Sequence, residues 1–268
     1  MKKILTNIVK IIYPIAAYFI ITLGIALILR ESGIRIETED IIRVLITEQV
    51  IATAVILWIY KFQKRSSTLE KFNYRLTDLG MKNIILVLIT TYFVLGSISL
   101  ISFVLRLNES YPGYSEIYDV ISKGPLLLQI VSTVIMAPVL EEVLCRGIIY
   151  NRMREMSNFY VSALVSSLLW AAAHLNMVQG VTALLFGLFL AFLYERFKML
   201  WITILSHGLF NLIAVISGHV LTLPENGQAV NGSSQNLTAN IIAMVINILI
   251  AGWLISVLNR SKFPIMKK

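Results

Sequence analysis

Eight long, largely apolar stretches divide this chain, at roughly 11–29, 42–60, 83–105, 124–151, 159–175, 178–194, 199–217 and 237–258. Each is close to the ~20 residues that a helix needs to cross ~30 Å of hydrocarbon. A bilayer offers no water to unpaired backbone groups, so spanning segments must be helices or a closed barrel. Unbroken apolar runs, rather than short alternating ones, point to helices. The expectation is an all-α polytopic membrane protein of about eight transmembrane helices. It should form a single membrane domain over residues 1–268, with no separable soluble part and no internal repeat. Composition agrees, with 57% of residues hydrophobic and only 14% charged, against about 45–50% and about 25% in a soluble domain. The uncharged run Ile11–Leu29 is too long for a signal-peptide core and reaches Arg30 without a small-residue cleavage site, so it is expected to be a retained first span.

A net charge of +8 would suggest nucleic acid on a soluble protein. Here membrane topology explains it better, and no nucleic-acid partner is expected. With the N-terminus in the cytosol, the outward loops keep only Arg30, Arg35, Arg43, Arg106 and Lys123, and Arg146 lies inside the fourth span. Every other Lys and Arg falls on the inner side, and cationic loops stay cytoplasmic. Both termini are therefore expected inside. The outward loops differ in character: ETED at 37–40, LNESYPGYSEIYD at 107–119 and NGQAVNGSSQN at 226–236. Asn231 and Asn236 head sequon patterns short enough to arise by chance. The single cysteine, Cys145, excludes an internal disulfide framework, and no CxxC pattern exists.

An ionisable side chain inside a span costs a few kcal/mol on insertion scales, so each asks for a partner or a purpose. Most of them stand in the second half of the chain. The fourth span contains MAPVLEEVLCRG at 136–147, the fifth ends in LLWAAAHLN at 168–176, and the seventh contains SHGLFNL at 206–212. Glu142 and Arg146 stand at i and i+4 and can pair along one face. Glu141, rotated about 100° away, needs another partner. Trp170 with His174, and His207 with Asn211, share the same spacing, so three helices can converge on one polar pocket. A carboxylate and a histidine there can activate water, and a second histidine with an asparagine amide can stabilise an oxyanion on an attacked carbonyl. That inventory fits acyl hydrolysis.

At these residues the chain resembles the CPBP (Abi) family of intramembrane proteases, which includes type II CAAX prenyl endopeptidases and bacterial relatives linked to bacteriocin maturation and immunity. The family's EExxxR is EEVLCR at Glu141–Arg146, its aromatic-xxx-His is WAAAH at Trp170–His174, and its HxxxN is HGLFN at His207–Asn211. The resemblance covers roughly residues 120–215, which makes that segment the expected catalytic core; Trp170 replaces the commoner phenylalanine. The resemblance implies an intramembrane endopeptidase acting on a membrane-associated peptide or protein in a bacterial plasma membrane. Glu141 and His174 would activate water, His207 and Asn211 would hold the oxyanion, and Glu142 and Arg146 would support them. Family members are also labelled metalloproteases. On that reading Glu141, His174 and His207 would ligate a divalent ion such as zinc, whereas a glutamate-activated water needs no cofactor. No HExxH helix is present.

Plainer readings compete. Glu142 and Arg146 could be a structural ion pair, Trp170 a packing residue, Cys145 a small apolar filler, Glu48 a hydrogen bond to a neighbouring helix, and Pro138 a kink. His219 carries no motif. The whole pocket could also serve a non-proteolytic peptide-binding or bacteriocin-immunity protein, or a proton-relay transporter. Depth is the least comfortable part of the site. At about 1.5 Å per residue, Glu141 and His207 lie roughly 16 and 12 Å from the inner ends of their spans, but His174 lies roughly 22 Å away.

Overall fold

The structure is a computed structural model, and it describes residues 2–33, 38–64, 80–107, 124–222 and 237–261. The expected sequons at Asn231 and Asn236, the outward loop at 107–119 beyond its first residue, and most of the cationic loop at 65–79 lie outside the described residues. Among the described residues seven helices are long and apolar enough to cross a membrane: α1 (Lys2–Glu31), α2 (Thr38–Lys64), α3 (Met81–Val104), α4 (Leu126–Arg154), α6 (Met177–Phe197), α7 (Leu200–Thr222) and α8 (Leu237–Arg260). Between α4 and α6 lies a shorter apolar helix, α5 (Phe159–Ala173), of 15 residues. The protein is thus an all-α, multi-pass integral membrane protein.

Large apolar side chains such as Leu23, Trp58, Leu127 and Trp253 stand exposed on the outside of the bundle. In lipid that surface carries no penalty, so burial of apolar area does not hold the helices together as it would in water. Close approach does. At Gly187 an added Cβ would stand 2.8 Å from Ser167 Oγ and 3.1 Å from Trp170 Cε3, and at Gly208 it would stand 3.0 Å from the Val134 carbonyl oxygen. Gly187 thus leaves room on α6 for the Ser167 and Trp170 side chains of α5, and Gly208 brings α7 against the backbone of α4. Glu48 hydrogen-bonds across helices, accepting from Thr22 Oγ1 at 2.5 Å, as its plainer reading expects.

Interhelical bonds show which helix ends share a level. Gln63, near the end of α2, donates to the Lys10 carbonyl of α1 and accepts from Arg152 of α4. Arg154 of α4 pairs with Glu195 of α6 at 3.0 Å, and Arg196 of α6 donates to the Leu258 carbonyl of α8. The start of α1 and the ends of α2, α4, α6 and α8 therefore gather at one end of the bundle, here called the terminal end.

Helix α4 carries the first motif and is wound unusually. Over Ile130–Met136 and Val143–Tyr150 its backbone is π-helical, with an ordinary α-helical stretch, Ala137–Glu142, between. Such i→i+5 winding is rare and is frequently found at functional sites. The Ala137 N–H reaches back to the Ser132 carbonyl. By the same pattern the Thr133 carbonyl would take its hydrogen bond from residue 138, which is proline and has no N–H. Pro138 thus leaves a carbonyl free for another helix.

Candidate active site

Four helices bring the three motifs to one pocket. Glu141, Trp170, His174, His207 and Asn211 all line a cavity of about 270 Å³ that is also bounded by α6. α4 continues to Arg154 rather than stopping at 151, which brings the depth of Glu141 nearer that of His174. His207 stands only seven residues into α7, and it meets Glu141 because α7 starts beside Gly147 rather than level with Arg154: a Cβ on Gly147 would stand 3.3 Å from Leu200 Cδ1. The turn that follows α5 is short. Leu175 takes a left-handed conformation with φ 52°, and the Asn176 side chain caps α6 by accepting from Val178 N and Gln179 N.

Beneath the pocket lies a charged anchor. Arg146 Nη1 donates to Glu142 Oε1 at 2.8 Å with both side chains fully buried, and Nη2 donates to the Gly187 carbonyl at 2.9 Å. The i, i+4 pairing expected from spacing is present, but Glu142 has a further role. The same Oε1 stands 3.1 Å from His207 Nδ1. A carboxylate oxygen can only accept from this nitrogen, so Nδ1 carries a proton, and with one proton on the ring Nε2 is the bare nitrogen. That Nε2 lies 3.8 Å from Glu141 Oε2. Arg146, Glu142, His207 and Glu141 therefore form one polar chain crossing from α4 to α7 and back.

Trp170 packs in the core, as its plainer reading expects, and it also holds a polar partner. Its indole Nε1–H donates to Glu141 Oε2 at 2.7 Å, its ring sits 5.0 Å from the Arg146 guanidinium carbon, and the imidazoles of His174 and His207 meet it edge-on at 5.4 and 5.1 Å. Trp170 is the partner that Glu141 lacked in the sequence. The available signal was the indole N–H itself, since a donor inside an apolar helix has to find an acceptor. His174 Nδ1 stands 2.9 Å from the Trp170 carbonyl oxygen. A carbonyl only accepts, so this ring too keeps its proton on Nδ1 and presents Nε2.

Asn211 is partly committed. Its Nδ2 donates to the Thr133 carbonyl at 2.7 Å, the carbonyl that Pro138 leaves free. An amide nitrogen has two hydrogens, so one remains to face the pocket. Cys145 is buried and free, as a filler would be.

Bare Nε2 nitrogens on two histidines and a carboxylate are a donor set chemically suited to zinc. Among the described residues, however, no three His, Cys, Asp or Glu side chains gather closely enough to hold one ion.

A second, mostly apolar cavity of about 300 Å³ lies against the first and shares Glu141, Trp170 and His174 with it. Its far wall is formed by Ile15, Tyr18 and Phe19 of α1. The carboxylate of Glu141 thus stands where a polar pocket and an apolar one meet.

Residues 123–213 match the family described as Rce1-like, type II CAAX prenyl endopeptidase. That segment contains every motif residue named above. The "Putative membrane peptidase YdiL" of Bacillus subtilis (strain 168) is 32% identical over 114 residues, which cover 42% of this chain and 46% of that protein. The chain therefore matches less than half the length of this relative. No solved structure matches it.

Proposed function

We propose that the protein is an intramembrane endopeptidase that hydrolyses a peptide bond of a membrane-embedded peptide or protein. The observation that carries this reading is the facing pair Glu141 Oε2 and His207 Nε2, 3.8 Å apart. That gap is too long for a direct hydrogen bond and suits a water held between two acceptors. Both acceptors are fixed from behind, Glu141 by Trp170 and His207 by the Glu142–Arg146 pair.

In this reading Glu141 takes the proton of the water as its oxygen attacks the scissile carbonyl, and then delivers that proton to the leaving amide nitrogen. His174, through Nε2, orients the water. The oxyanion accepts the second amide hydrogen of Asn211, while Nε2 of His207 accepts the other hydrogen of the water and so steers its oxygen toward the carbonyl. Glu142 keeps the His207 ring in that orientation by accepting from Nδ1–H. The apolar cavity beside Glu141 suits the side chains of a substrate segment that already lies in the bilayer.

The test compares membrane peptides from cells carrying the wild-type protein with those from cells carrying Glu141→Ala, with metal analysis of both purified samples. A peptide pair joined in the variant and cut in the wild type is expected. An identical peptide inventory from a well-folded variant would contradict the proposal.

A further inference from the structure

Helix α1 is held differently along its two halves. Asn7, Ile11 and Pro14 are buried, and no residue of α1 beyond Pro14 is. The change falls at the proline. Pro14 has no N–H for the Lys10 carbonyl one turn earlier, and Gln63 Nε2 of α2 donates to that carbonyl at 2.8 Å and to Tyr13 Oη at 2.9 Å. A helix interrupted in this way bends most readily at its proline. The first half of α1 is thus anchored at the terminal end, while the second half lies on the bundle with its side chains only partly covered. A hydrogen bond ties that second half to α2, from Thr22 Oγ1 to Glu48 Oε1 at 2.5 Å.

The second half of α1 is also a wall of the site. Its Ile15, Tyr18 and Phe19 face α5 across the apolar cavity that reaches Glu141. α1 packs against α2 and α4. On the α5 side the cavity reaches the surface of the bundle, where Phe19, Leu169, Ala172 and Ala173 are exposed. By helix rise this rim lies roughly 13 Å along α1 from Lys10 and roughly 20 Å along α5 from Phe159, near the middle of a hydrocarbon layer ~30 Å thick. It opens on lipid tails. A charged segment would pay to reach it, and an apolar segment already in the bilayer would not.

We propose that α1 beyond Pro14 is a hinged gate latched by Thr22 and Glu48, and that the substrate, an apolar peptide segment embedded in the bilayer, reaches Glu141 sideways between α1 and α5. Opening turns the second half of α1 about Pro14 while Gln63 holds the first. The latch gives Glu48, an ionisable side chain inside a span, a purpose that offsets its cost there. The substrate half of this inference rests on the protease reading; the movement of α1 does not.

Paired spin labels in lipid nanodiscs test the movement. In a Cys145→Ala background, Phe19→Cys with Ala172→Cys spans the cleft, and Leu5→Cys with Tyr160→Cys, both exposed positions, spans α1 and α5 on the anchored side of Pro14. Thr22→Val removes the latch donor, and losing a hydrogen bond to a carboxylate should shift the closed-to-open ratio roughly tenfold or more. In Thr22→Val the pair across the cleft is expected to gain a population at longer distance, and the anchored pair to stay as it was. An unchanged distance across the cleft in folded Thr22→Val would overturn the gate, and so would equal lengthening of both pairs. Thr22→Ala replaces Thr22→Val, and Cys145→Ser replaces Cys145→Ala, where either fails to fold. For the substrate half, Thr22→Cys and Glu48→Cys are joined by a short, reducible bis-thiosulfonate cross-linker. Cleavage of membrane peptides is expected to fall about tenfold or more, as for a gate held in its closed state, and to return on reduction. Cleavage that continues in the cross-linked protein would overturn the entry route and leave the cleft to lipid. Peptides left whole by every form, with the distance shift present, would leave the gate standing and remove the protease reading instead.

Discussion

Removing Arg146 would strand Glu142, whose side chain is fully buried and whose Oε1 accepts from both Arg146 and His207. Breaking one half of a buried ion pair costs about 3–5 kcal/mol. Arg146→Ala is therefore expected to lower the melting temperature of the detergent-solubilised protein sharply, whereas Glu141→Ala, which deletes a half-exposed carboxylate at a cavity, is expected to leave it nearly unchanged. On the proposed mechanism Glu141→Ala lowers turnover by roughly 10²–10⁴-fold, the usual contribution of a general base. Trp170→Phe supplies the family's commoner residue, keeps the ring and removes the 2.7 Å bond to Glu141. It should reduce turnover with little loss of stability. Glu142 with Arg146 was readable from spacing because both lie on one helix, one turn apart. The bonds of Glu142 to His207 and of Glu141 to Trp170 join residues far apart in sequence, and no periodicity encodes which helices meet.

At the level of elements, α4 is set by what its neighbours take from it. Pro138→Ala would restore an N–H at the position that the π-helical pattern aligns with the Thr133 carbonyl, in competition with Asn211. The expected result is a well-folded protein with lower turnover; undiminished turnover would show that Asn211 needs no such anchor. Gly187→Val would drive side-chain atoms into Ser167 and Trp170, and is expected to lower both melting temperature and activity by separating α5 from α6. The seven long spans were legible because hydropathy alone defines them. The fifth segment was legible as apolar but not as a 15-residue helix ending at Ala173. Its end is fixed by the His174 and Leu175 turn and the Asn176 cap, which run into the next apolar stretch without a charge to mark the break. The alternation of winding in α4 had only Pro138 as a sequence sign.

For the whole molecule, charge bias and structure bear on the same feature from different sides. The sequence separates Lys and Arg into alternate loops, and the structure collects the start of α1 and the ends of α2, α4, α6 and α8 at one end through Gln63, Arg152, Glu195 and Arg196. That clamp gives the bundle a direction that the motifs do not contain. Hydrolysis itself can be read in the product. Membranes carrying the wild-type protein, incubated in water enriched in ¹⁸O, should release peptides whose new C-terminal carboxylate has gained one heavy oxygen, and Glu141→Ala membranes should release none. Peptides that stay whole in wild-type membranes, or that are cut equally by the variant, would contradict the account.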